Sequence, residues 1–155
     1  MGDFAPIRFG KYQLIEKIAT GGMAEVYKAK SYGVAGFEKL LVIKKILPHL
    51  SRNPEFVKMF INEAKIAVSL NHANIVQVYD LGKVDNDYYM AMEFIHGQDL
   101  MHIIKLGRKT RRFLPIPTGV YIITELARGL DYAHTLSDPA GRPLNVVHQD
   151  VSPHN

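Results

Sequence analysis

Five short stretches of this chain are rich in hydrophobic, β-branched and aromatic residues and are bounded by turn residues, a pattern typical of β-strands. The predicted strands are Tyr12–Ile18, Glu25–Lys30, Leu40–Leu47, Ile75–Leu81 and Tyr88–Phe94. A small-residue turn that contains Gly21 and Gly22 joins the first two strands into a hairpin. A polar turn at residues 85–87 separates the last two strands.

A helix is predicted between the third and fourth strands. Asn53, Pro54 and Glu55 supply a capping side chain, a proline at the first helical position and an acid in the first turn. Hydrophobic residues then recur at helical intervals as far as Leu70, and Glu63 falls on the same, inward face. A carboxylate in that position needs a partner.

Lys44 is the expected partner of Glu63. It interrupts the strongly hydrophobic third strand, where an unpaired ammonium group would be costly to bury. Each charge would otherwise be uncompensated, so we expect Lys44 and Glu63 to form an ion pair.

Beyond Gly97 the spacing becomes helical, over Leu100–Leu106 and over Thr118–Leu136. A sheet with one helix, followed by helices, indicates an α+β fold. The segment KLGRKTRR, from the end of the first of these helices into the connection to the second, contains the cations Lys105, Arg108, Lys109, Arg111 and Arg112. Runs of basic residues are usually solvated, so we predict that this segment is a solvated linker. A docking patch for an acidic or phosphorylated substrate is the alternative.

The composition is that of a globular protein, with 155 residues, 47% hydrophobic and 22% charged. The absence of cysteine excludes disulfides and thiolate metal sites. No hydrophobic run approaches the length needed to span a bilayer, and the net charge is only +4. We expect a cytoplasmic protein without a membrane segment and without a nucleic-acid partner.

Four segments carry candidate chemistry. The segment HQDVSPHN places His148, Asp150 and Asn155 in the order His-x-Asp-x-x-x-x-Asn. Upstream, IATGGMAEVY contains the glycine turn, LVIK ends in Lys44, and MEF ends the fifth predicted strand at residues 92–94. In this order the segments resemble the protein kinase family, specifically the bacterial Ser/Thr kinases of eukaryotic type.

The resemblance implies an ATP site in which a glycine-rich loop covers the phosphates. The matching loop positions are Ile18, Ala19, Thr20, Gly21, Gly22, Met23, Ala24 and Val26. Small residues would let backbone N–H groups approach phosphate oxygens. In the family, the lysine that matches Lys44 holds the α and β phosphates, and the glutamate that matches Glu63 fixes that lysine.

The resemblance also assigns a hinge and a catalytic loop. The hinge positions are Met92 as the gatekeeper, Glu93 and Ile95 with backbone groups for adenine, and Asp99 for the ribose. Asp150 would orient the acceptor hydroxyl and take its proton, and Asn155 would bind Mg²⁺. The implied cofactors are ATP and Mg²⁺, and the implied partner is a protein substrate with a Ser or Thr acceptor.

The family's architecture divides the chain at the hinge. Residues 1–96 would form the N-lobe, a five-stranded antiparallel sheet with helix C, and residues 97–155 the hinge exit, helices D and E and the catalytic loop of an incomplete helical C-lobe. The family's Asp-Phe-Gly segment, which holds the main magnesium ligand, is not in the sequence. We therefore expect this chain alone to have little or no kinase activity, and its Thr118–Leu136 helix to favour self-association.

Four residues depart from the family's pattern. Ala19 and Ala24 replace loop glycines, which would cost roughly 1 kcal/mol wherever positive φ is needed. Gln149 replaces the arginine that pairs with a phosphorylated activation loop, so control by such phosphorylation is not expected. Ser152 replaces a lysine typical of Ser/Thr kinases and resembles the tyrosine-kinase version of the loop.

The expected function is that of a protein Ser/Thr kinase. A non-catalytic module that binds nucleotide or docks on a partner is the alternative. A small-molecule phosphotransferase with the same lobe arrangement is a third hypothesis.

Overall fold

The computed structural model describes residues 4–154, which form two separate units. One unit contains the residues up to 71 together with residues 76–94. The other contains residues 72–75 and the chain from residue 95 onward. The predicted magnesium ligand Asn155 lies outside the described residues.

The first unit is built on one antiparallel sheet with the strand order β1-β2-β3-β4-β6-β5. Its strands are β1 (Ile7–Phe9), β2 (Tyr12–Thr20), β3 (Ala24–Tyr32), β4 (Glu38–Ile46), β5 (Val78–Val84) and β6 (Asp87–Glu93). A single 3-10 turn at Val34–Gly36 connects β3 and β4. The predicted antiparallel sheet and α+β fold class are confirmed.

The prediction of five strands was wrong, because the sheet in the described chain has six. The additional strand, β1, is three residues long and pairs with β2 across a turn at Gly10, whose φ is 56°. Three residues are too few to show a period of two, so the hydrophobic pattern could not identify this strand. Its Phe9 is nevertheless buried in the core.

The two faces of the sheet contribute to separate hydrophobic cores. One core lies within the sheet and consists of Phe9, Tyr12, Leu14, Tyr27, Ala29, Leu41, Ile43, Tyr89 and Ala91. The other joins Ile46 and Met90 to Phe60 and Ala64 of the helix α1, Pro54–Ser69. Helix α1 begins as predicted, with the side chain of Asn53 accepting a hydrogen bond from the N–H of Glu55 at 3.0 Å.

A polar cluster around Asp80 holds strands that are not neighbours in the sheet. The carboxylate on β5 accepts hydrogen bonds from the hydroxyls of Tyr12 on β2, at 3.0 Å, and of Tyr89 on β6, at 3.4 Å. The Lys11 ammonium lies 2.7 Å from the same oxygen. Burial raises the pKa of both tyrosines. Three strands lie between β2 and β5 in the sheet. A direct hydrogen bond between Tyr12 and Asp80 therefore requires the sheet to curl, and the cluster stabilises that curvature.

The second unit contains helices α2, Leu100–Thr110, and α3, Ile116–Thr135. The prediction of a basic linker was wrong for Lys105, Arg108 and Lys109, which lie in α2. Arg111, with a φ of 55°, is the residue directly after the helix, and Arg112 follows it in the connection to α3. Cations in a last turn interact favourably with the helix dipole, so charge density alone did not mark the helix end. None of the described helices combines the length and hydrophobicity that a membrane span requires.

Gly129 lets α3 approach the segment 72–75 closely. A Cβ atom at this position would lie 3.3 Å from the carbonyl oxygen of Asn74. The rings of His72 and Tyr132 stack with their centres 5.1 Å apart in the same region. The low helix propensity of glycine is therefore offset by close packing. On the same helix, Val120 and Ile123 are 60% and 58% exposed.

Gly82 on β5 lies under the ring of Tyr89, and a Cβ atom there would be 2.5 to 2.8 Å from three of its atoms. We expect Gly82→Ala to lower the free energy of unfolding by about 1–3 kcal/mol, because the ring must move and the Asp80 cluster with it. Chemical denaturation measures the change. Gly119→Ala is the control, since no atom lies within 4 Å of its Cβ position. Equal stability of the Gly82→Ala and parent chains would contradict the packing described.

The variant Asp80→Asn tests how the contribution of the Asp80 carboxylate to folding stability depends on pH. The hydrogen bond from Lys11 holds the pKa of Asp80 below its ordinary value of 3.8. The charged form therefore stabilises the fold above about pH 4, and this contribution is lost as the pH falls through the lowered pKa. We expect the variant to be roughly 1 kcal/mol less stable at pH 7, with the difference shrinking toward about pH 2. Chemical denaturation of the parent and the variant at pH 7 and at about pH 2 measures this difference in stability. A difference that is equal at the two pH values would contradict the prediction.

Candidate functional site

Lys44 and Glu63 form the predicted ion pair, with Nζ and Oε1 2.7 Å apart. Lys44 is fixed by β4, and Glu63 by α1. The inward position predicted for Glu63 was wrong, because α1 buries Phe60 and Ala64 while the Glu63 side chain is 57% exposed. That of Lys44 is 31% exposed. An ion pair so accessible adds little stability, and its main effect is to hold the ammonium group in position.

The side chains that surround Lys44 are set by the sheet register. Val26 on β3 and Met90 on β6 are the direct cross-strand partners of Lys44. Directly opposed residues project from the same face of a sheet. Val26, Lys44 and Met90 therefore share the face on which α1 packs. Met92, the predicted gatekeeper, packs against the α1 core from that face as well.

The predicted phosphate loop is the tip of the β2–β3 hairpin. Ile18 and Thr20 lie in β2, and the turn consists of Gly21, Gly22 and Met23. The N–H of Gly21 donates to the carbonyl of Ala24 at 2.9 Å. No atom lies within 4 Å of the position that a Cβ on Gly22 would take. Space beside the turn is therefore open to a ligand.

The strain that positive φ would cause at Ala19 and Ala24 does not arise. Neither is among the described residues with positive φ. Both are strand residues, with Ala19 paired to Val26 and Ala24 to Ile46. Ala24 is also buried, so its small side chain suits its surroundings. Alanine in place of glycine therefore costs no backbone strain at these positions.

The hinge residues are divided between the two units. In the first, the N–H of Glu93 donates to the carbonyl of Gln77 at 2.9 Å, so recognition of adenine through Glu93 would use its carbonyl. In the second, Ile95 is exposed. Asp99 caps α2, with Oδ1 accepting the His102 N–H at 2.6 Å. Sequence reasoning missed this cap, although an aspartate directly before a helical pattern is its usual signal.

The segment predicted as the catalytic loop is a turn in the second unit. Asp150 is exposed, and its N–H lies 3.3 Å from Nδ1 of His148. Between them Gln149 has a φ of 63°, a left-handed conformation that turns the chain sharply. The carbonyl of Pro153 accepts the N–H of Met101 at 2.8 Å, which fastens the segment to the start of α2. No feature of the sequence predicted this contact.

The described residues fit a nucleotide phosphate better than a complete metal site. An open glycine turn and a positioned ammonium group are suited to phosphate oxygens. Within residues 4–154, no three histidine or acidic side chains come together to hold a metal ion. The prediction that Mg²⁺ binds therefore still depends on Asn155 and on the phosphate oxygens of the nucleotide as ligands.

Comparison with known families gives one match along nearly the whole chain. The sequence profile described as "Protein kinase domain" matches residues 12–155. A profile that covers most of a chain, in the order in which the site residues occur, identifies the family of the chain.

Two bacterial relatives illustrate the sequence similarity. The chain is 46% identical over 147 residues to "Tyrosine-protein kinase MasK" of Myxococcus xanthus, covering 95% of this chain and 23% of the relative. It is 32% identical over 146 residues to "Serine/threonine-protein kinase PrkC" of Bacillus subtilis, covering 94% and 20%. The chain thus spans about a fifth of the length of these curated relatives.

Comparison with solved structures confirms the predicted protein-kinase-like fold. The PknI kinase domain of Mycobacterium tuberculosis superimposes with a TM-score of 0.70 at 28% sequence identity. The superposition covers 96% of this chain and 55% of that kinase domain.

Proposed function

Because the chain belongs to the protein kinase family, we propose that it binds ATP and forms part of a catalytic domain that transfers a phosphate to a protein hydroxyl. The observation that carries the proposal is the Lys44–Glu63 pair at 2.7 Å, which holds an ammonium group on the same sheet as the open glycine turn. The whole protein's reaction, substrate and partners are part of the proposal.

In this proposal residues 1–96 form the ATP-binding lobe and residues 97–155 the first part of the helical lobe. Backbone groups of Gly21, Gly22 and Met23 contact phosphate oxygens. Lys44 neutralises phosphate charge, and Glu63 keeps its ammonium group in place. These assignments assume the family's roles for matching positions, and they agree with the open space beside Gly22.

The remaining assignments follow the family. Ile18 and Val26 cover the base from the sheet, the Glu93 carbonyl and the Ile95 N–H hydrogen-bond adenine, and Asp99 contacts the ribose. Asp99 already uses Oδ1 for the helix cap, so a ribose contact would use Oδ2.

Asp150 is proposed as the residue that orients the acceptor hydroxyl and takes its proton. ATP supplies the transferable phosphate, and Mg²⁺ accompanies its phosphate oxygens. The left-handed turn at Gln149 and the hydrogen bond from Met101 to Pro153 hold the segment that presents Asp150.

The acceptor class has two candidates. Serine or threonine is the first, supported by relatives named Ser/Thr kinases in Bacillus, Mycobacterium and Streptomyces, at 31–35% identity. Tyrosine is the second, supported by the 46% identity to a protein named as a tyrosine kinase and by Ser152 in place of a lysine.

Lys44→Met tests nucleotide binding. We expect ATP with Mg²⁺ to stabilise the parent chain by about 2.7 kcal/mol at a hundredfold excess over its dissociation constant. The variant should lose this stabilisation, because the ammonium group no longer meets the phosphates. Thermal unfolding with and without ATP measures the shift.

Lys45→Met is the matched control for that experiment. Lys45 is the next residue of β4, so its side chain projects from the opposite face of the sheet, where its ammonium group lies 3.1 Å from Asp87. The control should be less stable by itself but keep its response to ATP. Equal responses of both variants, or no response of the parent at millimolar ATP, would contradict the proposal.

The acceptor is identified by phosphoamino acid analysis of the whole protein that carries this sequence, after transfer from labelled ATP. We expect phosphoserine or phosphothreonine, and a decrease of about 10²–10⁴-fold in Asp150→Asn, because the proton acceptor is removed. Asp131→Asn, an exposed change on α3, should transfer normally. Phosphotyrosine alone would establish the second candidate, and full activity of Asp150→Asn would refute the assignment of Asp150.

A further inference from the structure

Residues 108–116, the connecting segment, join the last turn of α2 to the first turn of α3. The segment contains four cations followed by three hydrophobic residues, namely Arg108, Lys109, Arg111, Arg112, Phe113, Leu114 and Ile116. All seven are exposed, Phe113 by 71% and Ile116 by 83%. Single exposed hydrophobic residues are ordinary on a protein surface, whereas three within four positions form a cluster of the kind found at interaction sites.

The backbone of the connecting segment is fixed against α2 at its start. The carbonyl of Gly107 accepts hydrogen bonds from the N–H groups of Arg111 and Arg112, the second at 3.0 Å. Gly107 is buried, and a Cβ atom on it would lie 2.7 Å from the carbonyl oxygen of Arg112 and 3.7 Å from Cα of Phe113. The chain therefore leaves α2 in close contact with the helix, and the Phe113 ring is exposed from a fixed backbone.

The other end of the connecting segment is fixed by α3. Pro115 and Pro117 flank Ile116 and restrict the backbone there to a narrow range of φ. The N–H of Gly119 donates to the carbonyl of Pro115 at 3.0 Å, which closes the first turn of the helix. Ile116 is thus held at the surface by local structure on both sides.

The positive charge of the connecting segment has no acidic group to balance it. No acidic residue in the sequence lies between Asp99 and Glu125. Asp99 caps the far end of α2, about 15 Å from Lys109 at the helical rise, and Glu125 is paired with Arg128. Among the ion pairs of residues 4–154, none includes a cation of the segment. Such a cluster attracts an anionic ligand.

We propose that the connecting segment binds the surface of a bilayer rich in anionic phospholipid. Its cations lie beside the lipid phosphates and carboxylates, and Phe113, Leu114 and Ile116 enter the boundary between headgroups and hydrocarbon. The long stems of arginine and lysine suit this boundary, since they reach past apolar surroundings and keep the charge in water. The interaction goes beyond the proposed phosphate transfer and does not depend on it.

A bilayer accounts for both halves of the connecting segment. Phe113 and Ile116 are more than two thirds exposed, so they can enter a continuous apolar layer, whereas a protein partner would need a pocket for each of them. Nucleic acid binds cations and rings that stack on bases, and it offers nothing to the aliphatic side chains of Leu114 and Ile116. Anionic lipid supplies negative headgroups and hydrocarbon together.

The test is sedimentation of the whole protein that carries this sequence with lipid vesicles. We expect it to bind vesicles of phosphatidylserine and phosphatidylcholine in equal parts, and not vesicles of phosphatidylcholine alone, because the few hydrophobic side chains need the added attraction of the charges. The double variant Lys109→Glu with Arg112→Glu should bind at least about tenfold more weakly. Phe113→Ala should weaken binding by roughly tenfold.

Each variant has a matched control. Arg52→Glu with Lys58→Glu makes the same change of charge at exposed positions of the first unit. Tyr121→Ala removes from α3 a ring that is 65% exposed, close to the exposure of Phe113. Both controls should bind as the parent does. Circular dichroism verifies that all variants fold, and the two vesicle compositions test the proposal on the unaltered protein.

Several results would overturn the proposal. These are the absence of binding to the mixed vesicles, equal binding to both kinds of vesicle, and an equal loss in the matched controls. Unchanged binding of Phe113→Ala would show attraction by charge alone and would contradict the insertion of hydrophobic side chains. Tighter binding of soluble polyglutamate or of a single-stranded oligonucleotide than of the vesicles would assign the segment to a different class of partner.

Discussion

The alternation of side chains along β4 is the constraint on which the rest of the first unit depends. Leu41 and Ile43 point into the core within the sheet, while Lys44 and Ile46 project from the face that α1 covers. One strand thus belongs to both cores. A shift of register by one residue would bury the ammonium group and expose Ile43. Hydrophobic packing on both sides therefore fixes the backbone position of Lys44, and Glu63 then holds its ammonium group in place.

The polar cluster at Asp80 complements this packing. Hydrophobic side chains favour a curled sheet without selecting one curvature, whereas a carboxylate shared by two hydroxyls and an ammonium group has directional requirements. Tyr12 and Tyr89 also pack edge-to-face, with ring centres 5.5 Å apart. The rings of these two tyrosines thus contribute hydrophobic packing, and their hydroxyls contribute directional hydrogen bonds to Asp80.

The sequence predicted the parts of the structure that depend on local signals or on unbalanced charge. The cap at Asn53 follows from the local run of Asn53, Pro54 and Glu55. The Lys44–Glu63 pair follows from a charged residue inside a hydrophobic strand. The pairing of the three-residue β1 and the hydrogen bond from Met101 to Pro153 depend on residues distant in sequence. The exposure of Glu63 also escaped prediction, since a helical period gives the face of a residue but not how far the neighbouring sheet covers it.

The close contact between Gly82 and Tyr89 constrains which residues homologous chains can carry at these two positions. Only glycine leaves room for the Tyr89 ring at this distance, so the two positions are expected to vary together among homologous chains. A lineage that replaced the tyrosine by a smaller residue would be released from the requirement for glycine, and one that kept the tyrosine would not. Covariation between positions 82 and 89 in an alignment would then indicate that homologous chains keep the same curvature of the sheet. This evidence would not depend on any catalytic residue.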